Sequence, residues 1–287
     1  MSPDDLPCAR GSGIRGSVHT WSEDPLTARA RAVWTSGEYL PIARSFAAGA
    51  EAFVERLALR PGESVLDVAC GTGNLAIPAA RAGACVTGVD IAPNLIAQAR
   101  VEARAAGCVA AFEVGDAEAL PVADGHFETT VTMFGAMFAF RPDRVAAELL
   151  RVTRSGGRVA MANWTPNGFV GRLLWAHAWV LPLPSGVPSP LEWGTEEMVR
   201  SRFGSGLASL TCTRRTIELR FRHPPGAVAE LFARYYGPTV ATLHVAEPDE
   251  ASRLRQELAR LFQEYNVATD GTTTVVGDYL DVQARVA

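Results

Sequence analysis

Val65-Leu66-Asp67-Val68-Ala69-Cys70-Gly71-Thr72-Gly73-Asn74 is the stretch from which the fold can be read. The apolar run from Ser64 to Ala69 reads as a buried strand, and Asn74 to Arg81 reads as a helix. Gly71 and Gly73 stand between them. Glycines in a strand–turn–helix unit let the backbone approach a ligand closely and aim helix N-terminal amides at it. A lone Gly-x-Gly is weak evidence of any one ligand. Gly71, Gly73 and Ala76, with Asp90 further on, also satisfy a relaxed dinucleotide fingerprint, so a nicotinamide oxidoreductase is a rival reading.

The pattern repeats outward from this unit. Cys85 to Val89 reads as a second strand, and Pro93 to Ala106 as a helix with proline in its first turn. Val109 to Val114 and Glu128 to Met133 read as the third and fourth strands, Asp143 to Val152 as a helix, and Arg158 to Ala162 as the fifth strand. Strands alternating with helices at this spacing predict a parallel, doubly wound sheet whose ligands bind at the carboxyl ends of the strands. After Asn163 the rhythm changes. A Trp-rich helical segment, Phe169 to Val180, leads into the proline-rich loop Leu181 to Pro190, and Thr195 caps a helix that opens with Glu196 and Glu197. A long alternating strand over Ser209 to Arg222, helices over Pro225 to Tyr236 and Asp249 to Tyr265, and a strand over Thr272 to Val286 complete the chain. Upstream, helical periodicity begins near Pro25 and resumes over Leu40 to Leu59, interrupted at Gly37. The expected organisation is a mobile tail over 1–22, helices over 23–60 covering the site, and a Rossmann-like domain over 61–287 with cap insertions at about 164–206 and 223–268.

Composition narrows the function class. The 287 residues are 48% hydrophobic and 20% charged, enough to bury a full core. A formal net charge of -4 argues against binding to a nucleic-acid backbone, which favours a basic surplus. A small molecule is the expected partner, and a homodimer is compatible with the chain. Five scattered cysteines without Cys-x-x-Cys spacing predict reduced, structural thiols, and no Cys/His grouping has the spacing of a metal site. The N-terminus lacks the apolar core of a signal peptide, and no run of 18 apolar residues occurs, so a cytoplasmic protein without membrane insertion is expected.

Three acidic residues carry the cofactor reading. Asp67 lies inside the first strand, where a phosphate-binding turn gains nothing from a second anion but a cationic ammonium or sulfonium would be stabilised. The plainer alternative is that Asp67 only accepts loop amides. Asp90 ends the second strand, where a carboxylate can accept both hydroxyls of a ribose diol. Asp116 follows the third strand and can accept an exocyclic amine, with the Ala117 amide donating to the adjoining ring. Acidic residues at three successive strand ends are harder to dismiss than any one of them.

The segments VLDVACGTGN, VTGVDIAPNLIAQAR, GDAEALPVADGHFE and ELLRVTRSGGRVAMANW resemble the class I S-adenosylmethionine-dependent methyltransferases, particularly the branch of the ubiquinone and menaquinone C-methyltransferases. The resemblance covers roughly Trp34 to Trp164 and weakens sharply afterwards. It implies a seven-stranded Rossmann-like sheet whose last strand is antiparallel, with helical insertions forming a substrate cap. It implies that Gly71 and Gly73 lie against the methionine part of the cofactor with Asp67 nearby, and that Ala69 and Thr72 also bind the cofactor. Asp90 would hold the ribose, Ile91 would pack on adenine, and Asp116 with Ala117 would read the adenine edge. Met133 and Phe134 would face the cofactor near the transferring methyl, while Trp34 and Tyr39, in a Trp-x-x-Gly-x-Tyr pattern, would cap it. Asn74 departs from the family in replacing a third glycine, and Ser155 in replacing a proline before Gly156.

The acceptor side is less legible. Among His126, His177, His223, His244, Tyr39, Tyr235 and Tyr236, the pocket candidates are Tyr39, His177 and Tyr236. His126 precedes the fourth strand, at the wrong end for chemistry, and His223 reads as a loop residue. No general base is identified. A methyltransferase acting on O, N or C of a small molecule is the expected function; a nicotinamide oxidoreductase and a non-catalytic S-adenosylmethionine-binding protein are the alternatives.

Overall fold

The computed structural model describes residues 13, 14 and 24–287. Three helices lead in: α1 (Pro25–Thr35), α2 (Leu40–Ser45) and α3 (Ala47–Leu57). The single helix expected over Leu40 to Leu59 is divided, because Phe46 leaves helical geometry at φ -122° and ψ 19°. The alternating region follows as β1 (Ser64–Val68), α4 (Ala76–Arg81), β2 (Cys85–Asp90), α5 (Pro93–Ala105), β3 (Ala111–Val114), β4 (Phe127–Met133), α6 (Pro142–Val152) and β5 (Thr153–Trp164). Then come α7 (Gly168–Val180), α8 (Glu196–Phe203), β6 (Leu207–Phe221), α9 (Pro225–Tyr235), α10 (Gly237–Val245), α11 (Pro248–Tyr265) and β7 (Thr273–Val286). The short helix α10 is absent from the sequence reading, which ended the helical segment near Tyr236. Pro238 at its start and Thr239 and Thr242 on its buried side hide its periodicity.

The seven strands lie in the order β3-β2-β1-β4-β5-β7-β6. The first five are mutually parallel, and β7 runs antiparallel to both β5 and β6. Beginning at β1, the chain adds β2 and β3 on one side and then crosses to β4 on the other. The β1–β4 boundary is therefore the switch point, where an open crevice forms beyond the strand ends. Strands β1 and β2 are almost wholly buried, which is why they read as continuous apolar runs rather than alternating ones.

The later helices cover the carboxyl-end side of the sheet's second half. Helix α11 is held at its start by a reciprocal capping box between Glu247 and Glu250. Its Leu254, Leu258, Leu261 and Phe262 recur at helical spacing on one buried face, and Phe262 meets Phe169, Phe221 and Phe232. This aromatic layer ties α7, α9 and α11 to the sheet and makes the cap part of the common core. No helix among the described residues is long and apolar enough to cross a membrane.

Two expectations change. Cys85 stands in a disulfide, against the expectation of reduced thiols throughout, whereas Cys70, Cys108 and Cys212 are free. The tail expected over 1–22 falls outside the described residues except at Gly13 and Ile14, where Ile14 forms an antiparallel bridge with Val122.

Candidate active site

At the carboxyl end of β1 the backbone turns sharply. Ala69 adopts φ 55°, Gly71 φ 54° and Gly73 φ 92°, and the Gly73 amide donates to the Cys70 carbonyl at 2.9 Å. Left-handed geometry at a non-glycine residue such as Ala69 is a stored strain, of the kind that concentrates at ligand sites. Phe134, just past β4, repeats it at φ 54°, and its ring stacks on Trp164 at 3.5 Å. Gly135 makes this crossing possible, since a Cβ there would stand 2.5 Å from the Ala69 carbonyl oxygen. The ends of β1 and β4 thus approach each other closely and floor a cavity of about 910 Å³, open mouth included.

All but one of the residues expected around a cofactor line this cavity: Trp34, Tyr39, Asp67, Ala69, Gly71, Thr72, Asp90, Ile91, Asp116, Ala117, Met133 and Phe134. The exception is Gly73, whose absent side chain instead makes room for Ile77, the nearest atom to a Cβ there at 3.1 Å. The Thr72 hydroxyl is buried on the cavity wall and has no hydrogen-bond partner within the protein. A buried, unsatisfied hydroxyl is costly unless a ligand satisfies it.

The three acids are all engaged with backbone as well. Asp67 is 2% exposed, and its Oδ2 accepts the Ala76 amide at 3.0 Å, so the plainer reading of this residue holds alongside its place on the cavity wall. Asp90 accepts the Gly71 amide at 2.8 Å through one oxygen and the Ala92 amide at 2.9 Å through the other. Each carboxylate oxygen has a second lone pair, so these bonds brace Asp90 without exhausting it. Burial pushes the Asp90 carboxyl up to about 6 against those stabilising amides. Burial, with repulsion from Asp90 as a smaller cause, raises Asp67 well above the ordinary carboxylate range. Two buried acids that resist ionisation form a site that gains from a nearby cation. Asp116 accepts the Glu118 amide at 2.9 Å and the Thr27 hydroxyl at 3.2 Å, and burial raises its carboxyl too.

The N-terminal helices close the cavity. Thr27, Ala30 and Trp34 recur at i, i+3 and i+7 and turn one face of α1 onto it. Arg141 clasps this helix from the far wall, donating to Asp24 at 2.5 Å and to Glu118 at 2.7 Å. Asn74, where the family has a glycine, donates to the Ala43 carbonyl of α2 at 2.8 Å and ties the second helix to the turn. Trp34 meets Tyr39, Phe138 and Tyr236 edge to face, with ring centroids 5.9, 5.2 and 6.2 Å away. Burial, helped by the Asp90 charge, pushes the Tyr39 phenol above its ordinary range. Sequence reading missed Thr27, Arg141 and the role of Asn74. The spacing of Thr27, Ala30 and Trp34 is the signal that could have found α1's inner face.

A second cavity adjoins the first. Ala30, Trp34 and Phe138 line both, and the remainder is built from Arg29 and Val33 of α1, Phe140, α7, α10 and the proline loop with the residues after it. His177 borders it, but Nδ1 meets the Leu173 carbonyl at 2.6 Å and Nε2 meets the Thr239 hydroxyl at 2.7 Å. A carbonyl only accepts, so Nδ1 carries the proton and Nε2 accepts from Thr239. Burial lowers His177 to about 4, which leaves it neutral. Tyr236 lines neither cavity; it packs among Trp34, Tyr39, His177 and Phe232. His126 lies at the amino end of β4 against Phe127, and His223 and His244 are exposed.

Comparison with known proteins decides the family. The family described as "Methyltransferase domain" matches residues 65–157. An uncharacterized protein of Mycobacterium tuberculosis is 37% identical over 239 residues, which is 82% of this chain and 87% of that protein. The demethylmenaquinone methyltransferase of Renibacterium salmoninarum is 36% identical over 116 residues, 40% of this chain and 47% of its own. The chain belongs to the class I S-adenosylmethionine-dependent methyltransferases. The chain also shares its fold with a putative methyltransferase of Bacillus halodurans, with a TM-score of 0.54 at 20% identity over 82% of this chain and 97% of the other.

Proposed function

We propose that this methyltransferase holds S-adenosylmethionine in the first cavity and methylates a small molecule held in the second. The observation that carries the reading is the convergence of Asp67, Asp90 and Asp116, from three successive strand ends, on one cavity wall with the unsatisfied Thr72 hydroxyl. Asp67 and Asp90 give a cation the countercharge it needs in a dry site. Asp90 accepts the ribose diol, and Asp116 with the Ala117 amide reads the adenine edge. Thr72 supplies its free hydroxyl to the methionine end, and Trp34 and Tyr39 shield the site from water.

When bound, S-adenosylmethionine supplies a methyl group already activated by its sulfonium. The chain's own task is then to hold the acceptor in line and to exclude water. With both nitrogens of His177 occupied, no free histidine among the described residues faces the second cavity, so an acceptor that is nucleophilic in its bound form suits this site best. Calorimetry with S-adenosylmethionine and with S-adenosylhomocysteine tests the cofactor assignment: both bind, and Asp90→Ala weakens both at least about tenfold, as loss of a charge-assisted bidentate contact should. Absence of binding by either compound would overturn it. Release of S-adenosylhomocysteine in the presence of a cell extract then tests turnover and separates an enzyme from a protein that only binds the cofactor.

A further inference from the structure

The second cavity is apolar over almost its whole wall, yet one ionised side chain enters its lining, Arg29 of α1. The other titratable member, His177, is neutral and bonded at both nitrogens. Arg29 donates to the Pro182 carbonyl at 3.1 Å and has no carboxylate partner among the described residues. Arg141, which meets the start of the same helix at Asp24, contrasts with it in being matched by two carboxylates. A guanidinium carries five donors in a fork suited to planar or tetrahedral anions, so Arg29 retains most of its bonding capacity. Arg29 is half-buried and its bond to Pro182 lies at the surface, so its fork stands at the edge of the apolar lining, where it can meet the charged end of a ligand whose body lies inside.

We propose that the second cavity takes an apolar acceptor bearing one anionic head, a carboxylate or a phosphate, that pairs with Arg29. The body of the acceptor lies along Leu174 and Trp175, and its methyl-accepting atom faces the wall of Ala30, Trp34 and Phe138 shared with the first cavity. Arg29 and Trp34 are five residues apart on one helix, about 7.5 Å along its axis. Head and accepting atom are thus separated by about the length of a fused aromatic ring system. This assignment rests on the reading of the first cavity as the methyl donor's site.

Three probes of one shape test it on the full-length chain: naphthoate, naphthyl phosphate and the neutral naphthamide. Each is titrated by quenching of tryptophan emission, since Trp34 and Trp175 line the cavity. At least one anion binds about tenfold more tightly than the amide, and which one does so identifies the head. In Arg29→Met the preference falls to within about twofold while naphthamide affinity is unchanged. Arg29→Gln, which keeps a polar side chain, provides the same comparison should the methionine variant prove unstable. Equal binding of amide and anions by the wild-type chain, or a preference that survives both substitutions, would sink the proposal. Calorimetry with S-adenosylhomocysteine on the same samples keeps the two readings apart. Intact cofactor-product binding without anion preference overturns the acid assignment alone, and lost binding overturns the donor-site reading on which it rests.

Discussion

Asp90 is the residue on which loop geometry, electrostatics and ligand chemistry meet. Its two oxygens hold the Gly71 and Ala92 amides, so the carboxylate that is proposed to bind ribose also shapes the turn beside it. Burial holds this carboxyl at about 6 instead of its ordinary 3.8, so the folded chain binds the proton more tightly than the unfolded one. The stability contributed by that proton is complete below 3.8 and is lost as pH rises through 6, a swing of about 3 kcal/mol. Cofactor affinity runs the other way, because only the ionised carboxylate offers its full acceptor capacity to the diol. S-adenosylhomocysteine should therefore bind more weakly at pH 5 than at pH 8, and Asp90→Asn should flatten that difference in a titration. His177 differs in kind: it joins α7 to α10 through Thr239, which is wholly buried. Replacing it by leucine strands that hydroxyl and should cost about 1–3 kcal/mol in a denaturant melt. The pH profile of turnover should be unchanged, whereas a catalytic histidine would lose a limb of that profile.

At the scale of elements, α1 is the part that completes both cavities, and few of its contacts are to the sheet. It is held by Arg141 across Asp24 and Glu118, by the Thr27–Asp116 bond, and by close packing on α10. The packing is close because glycines stand just after α1, at Gly37, and at the start of α10, at Gly237. A Cβ on Gly37 would stand 2.4 Å from the Tyr235 carbonyl oxygen, and one on Gly237 would stand 2.5 Å from that of Val33. Arg141→Met removes the guanidinium from Glu118, which keeps only the backbone amide of residue 141, and breaks the link to Asp24. Amides of α1 should then exchange with solvent faster while those of β4 and β5 keep their protection, a pattern that hydrogen exchange resolves by segment. Equal loss of protection across the sheet would show that Arg141 supports the whole fold and not the lid.

At the scale of the whole molecule, sheet and cap share one core, and the first cavity is walled by the strand ends and the N-terminal helices. A ligand there bridges α1, α2 and four strand ends at once. S-adenosylhomocysteine at about a hundred times its dissociation constant should add about 2.7 kcal/mol to stability and raise the melting temperature by roughly 5 °C or more. NADH, whose pyrophosphate would meet the carboxylates of Asp67 and Asp90, should leave it unchanged. Differential scanning fluorimetry with both compounds distinguishes these outcomes.

Local sequence determined the half of the protein in which each signal lies within one strand and the turn after it. The unit from Val65 to Asn74, the acids at three strand ends and the apolar runs of β1 and β2 follow from neighbours in the chain, and the lining of the first cavity was legible from them. The partition of the helical region was not. The break at Phe46 and the whole of α10 have weak periodicity, and their boundaries are set by what they pack on. Only the tertiary structure brought Arg141 to Asp24, Asn74 to Ala43 and Arg29 to the mouth of an apolar cavity, because each pairing joins residues far apart in the chain. Tertiary structure also withdrew His177 from the list of possible bases. Whether a buried imidazole is free or bonded depends on Thr239, sixty-two positions away, and no local pattern contains that partner.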